Sequence, residues 1–192
     1  MKAFILTSYI IALLLCACNS GEKKNEATSK LKNQKYSIDS AINAGALQLF
    51  VKIKGKPGLL EAKDSRNKTN VEAAYNVFRD KSGKVVYIAE LPFSPKDDWF
   101  ISYKSYFGAD GKLLAFQAQN NFFGSECAKG AAMENLVKYY NADFTVADSS
   151  YTLTDTKKNP LDKSKCKFPY TFPYKVNRSL EEFKKDRGIT NF

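Results

Sequence analysis

Two adjacent carboxylates, Asp97 and Asp98, precede the chain's single tryptophan, Trp99. Paired acids near an aromatic are the raw material of glycoside hydrolysis, in which one carboxyl protonates the leaving oxygen and the other attacks or activates water. The spacing argues against that use. Neighbouring residues of a strand point to opposite faces, whereas the reaction needs two carboxyls roughly 5–10 Å apart across one sugar. Pro92 and Pro95 forbid a helix just upstream, so a turn with Asp98 as a loop acceptor is the expected role. Ser125, Glu126 and Cys127 gather a hydroxyl, an acid and a thiol, with Lys129 close by. Yet the 192 residues contain no histidine. That removes Ser-His-Asp and Cys-His sites, imidazole acid–base catalysis and His-ligated zinc or iron. Asp110-Gly111 reads as turn chemistry, because no series of oxygen ligands follows it as a calcium loop would need. No metal and no cofactor is expected. A catalyst built from this chain would rest on carboxylates, lysine or tyrosine, for example a carboxylate-based glycan hydrolase.

The stretch CKFPYTFPYKVN (166–177) repeats Phe-Pro-Tyr. As a strand it puts Phe168, Tyr170, Phe172 and Tyr174 on one face, and Pro169, Thr171 and Pro173 on the other. The two prolines then delete hydrogen-bond donors from one edge only, which blunts an edge strand against unwanted pairing. The four aromatics become a core face beneath helices. The alternative is an exposed aromatic shelf, a binding face that stacks on sugar rings or on a partner.

At the other end, MKAFILTSYIIALLLCACNS has one lysine, Lys2, and then an apolar run from Phe4 to about Leu15. The run is shorter than the ~20 residues a helix needs to span a bilayer and has the form of a signal-peptide hydrophobic region. Leu15-Cys16-Ala17-Cys18 resembles the lipobox of bacterial lipoproteins. That resemblance, confined to the first eighteen residues, implies a diacylglycerol thioether on Cys18, cleavage before it and acylation of the new N-terminus. Several acyl chains give stable anchoring where one does not. The expected location is the bacterial cell envelope, at the outer membrane. The expected division is a signal peptide over 1–17, the lipidated cysteine with a flexible tether over 18–36, and one domain over 37–192. The tether has no aliphatic except Leu31 and too little apolar surface to fold alone.

The address implied by the lipobox decides how the remaining cysteines are read. An oxidising compartment favours a disulfide between Cys127 and Cys166. Charge adds a weaker clue. The formal net charge is +10, and loss of Lys2 with the signal leaves +9. The lysines are scattered, which suits a solvated surface. They also suit attraction to anionic lipid, an acidic glycan or an envelope protein. Nucleic acid is not expected as a partner, since no nucleic-acid motif is present.

The elements that must position these groups read as follows. IDSAINAGALQLFVKI (38–53) favours a helix through Ile38, Ile42, Leu49 and Ile53, although Leu47, Leu49, Val51 and Ile53 also alternate as in a strand. A short strand is expected near 59–65. AAYNVFRD and KVVYIAEL flank a Lys-Ser-Gly turn, and WFISYKSYF and KLLAFQAQNNFF flank Gly-Ala-Asp-Gly, so two hairpins are predicted. KGAAMENLVKYY (129–140) reads as a short helix with Met133, Leu136, Val137 and Tyr140 on one stripe. DFTVADSSYTLTD is a further strand. Ser179 and Glu182 make a capping box for a final helix that Gly188 ends. Strands in succession with few helices between them predict an α+β domain: an antiparallel meander of hairpins carrying two or three helices. A small closed β-barrel is the alternative. The most fitting role is lipid-anchored binding or scaffolding, with the histidine-independent envelope enzyme as runner-up.

Overall fold

Runs of β-branched and aromatic residues between Asp- and Gly-bearing turns become eight antiparallel strands. A computed structural model describes residues 19–63, 70–128, 130–166, 168, 174–190 and 192. The strands are β1 (Gln48–Ile53), β2 (Leu60–Glu61), β3 (Val71–Arg79), β4 (Val85–Pro92), β5 (Trp99–Phe107), β6 (Leu113–Phe123), β7 (Ala131–Tyr140) and β8 (Val146–Thr154). They form one sheet in the order β2-β1-β3-β4-β5-β6-β7-β8. From β3 onward this is a plain meander. The sheet is open, with β2 and β8 at its edges, so the closed-barrel alternative falls and the α+β meander stands. Two α-helices join it, α1 (Asn19–Ala44) and α2 (Leu180–Arg187), with a 3-10 turn at Lys163–Lys165.

The turns follow their side chains. Asp80 Oδ1 accepts from the backbone of Ser82 at 2.9 Å and of Lys84 at 3.0 Å, closing β3 onto β4. Asp110 Oδ1 accepts from the Lys112 amide at 3.1 Å, and Gly111 supplies the positive φ of 74° that closes β5 onto β6. Asp80 sits below the usual carboxylate range because the Ser82 hydroxyl and the local amides favour its charged form.

The sheet carries a core on each face. On one, Trp99, Ile101, Phe107, Phe116 and Phe122 are buried together with Phe183 of α2 and Ile189 after it. Ser179 caps α2 by accepting from the Glu182 amide at 3.2 Å, and Glu182 reaches back to the Arg178 amide at 3.0 Å. Gly188 closes the helix in the left-handed region at φ 61°. On the other face, Tyr87, Tyr106, Leu114 and Ala115 are covered by Leu31, Ile38 and Ile42 of α1. These three helix residues recur at spacings of seven and four, a single stripe.

Three expectations need correction. Residues 19–36, read as a flexible tether, belong to α1. They lack the apolar surface to fold alone, but Leu31 helps seat the helix on a sheet that is already there. The helix expected over 38–53 divides: α1 ends at Ala44, and 48–53 is strand β1. Both sequence patterns are real and belong to successive elements. The break falls at Gly45, where a Cβ would lie 2.8 Å from the Phe78 ring and 3.0 Å from the Ala41 carbonyl oxygen. Finally, the helix expected over 129–140 is strand β7, paired without a break from Ala115↔Tyr139 to Phe123↔Ala131. Ala, Met, Glu and Leu favour a helix intrinsically, but pairing with β6 and β8 overrides that preference.

Cys127 and Cys166 form a disulfide with Cα atoms 4.9 Å apart. Closing a loop of this length restricts the unfolded chain by roughly 4 kcal/mol in the chain-entropy model. The bond ties the loop after β6 to the start of the C-terminal segment.

Candidate functional site

Of the aromatic quartet, Tyr170 and Phe172 lie outside the described residues. Phe168 and Tyr174 are half-buried on the α2 face of the sheet. The Phe168 ring lies 4.6 Å from Phe122 between centroids. Tyr174 stacks on Tyr103 at 3.9 Å and on Phe116 at 5.2 Å. Neither Phe168 nor 174–177 belongs to a strand. The edge strand proposed for this stretch is absent from these residues. They lie across the sheet face instead, where ring contacts take the place of a ladder that prolines would interrupt.

Tyr174 also leads to the densest cluster of ionisable groups. Its hydroxyl donates to Glu90 Oε2 at 3.1 Å, and the Tyr75 hydroxyl donates to Glu90 Oε1 at 3.0 Å. Arg187 Nε donates to Glu90 Oε2 at 2.7 Å, and its Nη1 to Asn177 Oδ1 at 2.8 Å. The guanidinium also rests 3.9 Å from the Phe183 ring centroid. Burial, reinforced by the Glu90 charge, pushes both tyrosine hydroxyls far up, so they stay protonated as donors. Both tyrosine hydroxyls and two nitrogens of Arg187 are already directed at Glu90 or Asn177. The arrangement fastens α2 and the C-terminal segment to β3 and β4, and it leaves no activated nucleophile.

The opposite face is organised in cross-strand rows. Tyr87, Tyr106, Ala115, Tyr139 and Asp148 are successive partners from β4 to β8. Helix α1 lies along this row. Asp39 of α1 accepts from the Tyr106 hydroxyl at 2.9 Å and from Lys35 Nζ at 2.7 Å. Lys35 Nζ also stands 4.4 Å from the centre of the Tyr106 ring. Further along, Lys32 pairs with Asp148 at 2.7 Å.

Beyond the helix the face turns polar. The next row holds Lys104, Gln117, Val137 and Ser150, then Ser102, Gln119, Asn135 and Thr152, then Phe100, Asn121, Met133 and Thr154. Gln117 Nε2 donates to Asn135 Oδ1 at 2.6 Å, and Lys104 Nζ donates to Gln119 Oε1 at 3.1 Å. Burial lowers the Lys104 pKa, and nearby Lys35 lowers it further. Of the last two rows, Gln119, Asn121, Met133, Asn135, Thr152 and Thr154 line a cavity of about 440 Å³ rimmed by Thr156 and Lys158, while Phe100 and Ser102 lie beside it. Glu134 at its margin turns to the other face, where it accepts from Asn120 at 2.8 Å and from Tyr151 at 2.9 Å. This amide-lined trough was missed at the sequence level. Its signal is the alternation of Gln117, Gln119 and Asn121 along β6, a polar stripe where solvent-facing strands more often carry charge.

The remaining candidates sit apart. Asp98 accepts from the Ser94 hydroxyl at 3.1 Å, as a loop acceptor should, and Asp97 takes a positive φ of 53° in the same turn. Ser125 Oγ lies 3.1 Å from Cys127 Sγ, within the disulfide-tied loop. Several of the scattered lysines have acidic partners: Lys163 with Glu134 at 3.5 Å and Lys165 with Asp162 at 3.8 Å, besides Lys32 and Lys35. Cys18 lies outside the described residues. Among the described residues no cluster of three or more His, Cys, Asp or Glu side chains is placed to hold a metal ion, and no helix is long and apolar enough to cross a membrane. Set against protein-family models, curated proteins and solved structures, the chain matches none of them.

Proposed function

We propose that this chain is a lipoprotein of the bacterial cell envelope, anchored through acylated Cys18, and that it binds or scaffolds rather than catalyses. The observation that carries the reading is the lipobox itself, Leu15-Cys16-Ala17-Cys18, at the end of a short apolar run. Leu31, the first residue of the docked stripe, lies about 12 residues and so roughly 18 Å along the helix from Asn19. Under this reading α1, docked through Leu31, Ile38 and Ile42, serves as a helical strut between the anchor and the sheet. Two further features support binding over catalysis. The Glu90–Arg187 cluster turns two tyrosine hydroxyls and the arginine onto its own carboxylate, and the trough beside α1 offers hydrogen-bonding side chains without a free carboxylate pair.

Metabolic labelling with a fatty-acid analogue tests the anchor. The wild-type chain and a Cys16→Ala variant should both be labelled and fractionate with membranes. Cys18→Ala should be unlabelled and retain its signal peptide. Equal labelling of the Cys18→Ala variant overturns the assignment.

A further inference from the structure

We infer that the polar trough on the α1 side of the sheet is a binding site for a neutral saccharide chain. The inference deepens the binding role proposed above and rests on it.

The lining presents donors and acceptors in fixed, mixed directions. Gln119 Oε1 is occupied by Lys104, which leaves the Gln119 amide nitrogen to donate. Asn135 Oδ1 is occupied by Gln117, which leaves the Asn135 amide nitrogen to donate. Asn121 Oδ1 points the other way: it is buried and has no hydrogen-bond partner. A buried acceptor left unmade costs about 1–3 kcal/mol, so turning the Asn121 side chain outward onto a ligand hydroxyl relieves that cost. The Thr152 and Thr154 hydroxyls can serve in either role. Sugar hydroxyls, each both donor and acceptor, match such a surface.

Phe100 supplies the second half of the recognition. It is 43 % exposed and pairs directly across from Asn121, in the same row. An exposed ring beside planar amides accommodates the C–H face of a pyranose while the amides take its hydroxyls. The cavity, at about 440 Å³, falls in the ordinary range of small-ligand clefts.

Other occupants fit worse. An anionic ligand would need cations in the floor, which is built of neutral amides and hydroxyls. Lys158 stands only at the rim, where Glu134 also lies, and nearby Lys104 is bound to Gln119 with burial disfavouring its charge. An acyl chain would strip water from several amides with nothing in return. A peptide strand adds to a sheet edge, whereas β6 and β7 have ladder partners on both sides and the outer edge of β8 beside the trough already meets Pro160 and Leu161.

The full-length chain, purified in a zwitterionic detergent that carries no sugar, is titrated calorimetrically with neutral hexasaccharides of glucose, N-acetylglucosamine, mannose and xylose. An acidic uronate hexasaccharide and vesicles containing anionic phospholipid are titrated in parallel. At least one neutral hexasaccharide should bind. Gln119→Ala, Asn121→Ala and Phe100→Ala should each weaken that binding by about tenfold, the loss expected for one hydrogen bond or ring contact. Thr152→Val, at an exposed position of edge strand β8, keeps the test valid should an interior variant misfold, and it should weaken binding in the same direction. Tyr36→Ala, on the exposed side of α1, should change nothing. No binding by any neutral sugar up to ~10 mM, a range that still detects very weak complexes, overturns the inference. So does binding confined to the uronate or the anionic vesicles. Anchoring is scored separately by Cys18 labelling, so either result can fail while the other stands.

Discussion

Arg187 and Glu90, ninety-seven residues apart in the chain, meet at 2.7 Å with both side chains largely withdrawn from water, 13 % and 16 % exposed. The pair joins the last helix to the fourth strand. Its worth depends on what is compared. Removing one partner leaves a buried charge uncompensated, whereas replacing both by apolar groups removes the desolvation cost of each. Glu90→Ala should therefore lower unfolding free energy by about 3–5 kcal/mol. The double variant Glu90→Leu with Arg187→Met should recover most of that loss. Urea denaturation of the three proteins decides it. A single variant within ~1 kcal/mol of wild type, as for exposed pairs, would show that the cluster does not hold the C-terminal segment in place.

Five tyrosines give the fold a defined alkaline limit. Burial is the leading cause at Tyr75, Tyr87, Tyr103, Tyr106 and Tyr174. It pushes Tyr87 and Tyr103 up to about 12, and the other three further. In the unfolded chain these hydroxyls ionise near 10. A folded value above the unfolded one means stability is fully present below about pH 10 and is lost as pH rises through the folded values. Stability measured by denaturant should be flat with respect to these groups at neutral pH and fall steeply above about pH 10. Buried tyrosinate absorbance should appear together with loss of the circular dichroism signal of the sheet. Ionisation of all eleven tyrosines in one smooth step near their ordinary value, with the sheet intact, would contradict the burial assigned to them.

The sequence disclosed the meander better than its ends. AAYNVFRD and KVVYIAEL announce a hairpin because alternation and turn chemistry agree, and β3 and β4 follow. The same agreement held for β5 and β6 around Asp110-Gly111 and for the α2 cap at Ser179. Strand β7 was hidden because both of its faces are used. Met133 and Asn135 look toward the trough while Leu136 joins the opposite core, so no period of two survives in the apolar residues. The part of α1 before Ile38 was hidden for a different reason. The helix's three apolar contacts are spread over twelve residues, and its other attachments are polar: Lys32 to Asp148, and Asp39 to Tyr106. Such contacts leave almost no signature until the partner strand is known. The trough shares this difficulty, since its amides belong to β6 and β7 and its hydroxyls to β8, and they converge only through register.

The attachment of α1 can be tested at its polar centre. Asp39 ties Lys35 of its own helix to Tyr106 of β5, and the Lys35 side chain is only 12 % exposed. Asp39→Ala removes both bonds. Tyr106 keeps a weaker acceptor in Gln117 Oε1 at 3.4 Å, so the sheet itself should be little disturbed. The helix, by contrast, keeps Leu31, Ile38 and Ile42 on the sheet, Lys35 over the Tyr106 ring and Lys32 at its rim. Loss of hydrogen bonds to a charged group is worth about 1.5–3 kcal/mol. Local opening of α1 should become about 10–100 times more frequent by that measure, while the strands keep their protection. Amide hydrogen exchange resolves the two: α1 amides should exchange faster in Asp39→Ala, and β5 and β6 amides at the wild-type rate. Tyr106→Phe should act in the same direction and more weakly, because the ring under Lys35 remains. Equal acceleration in helix and strands would mean that α1 and the sheet open as one unit. Under that outcome the strut could not loosen without unfolding the domain. The predicted outcome would instead make α1 an arm that opens separately from the sheet, between the anchor proposed at Cys18 and the proposed binding trough.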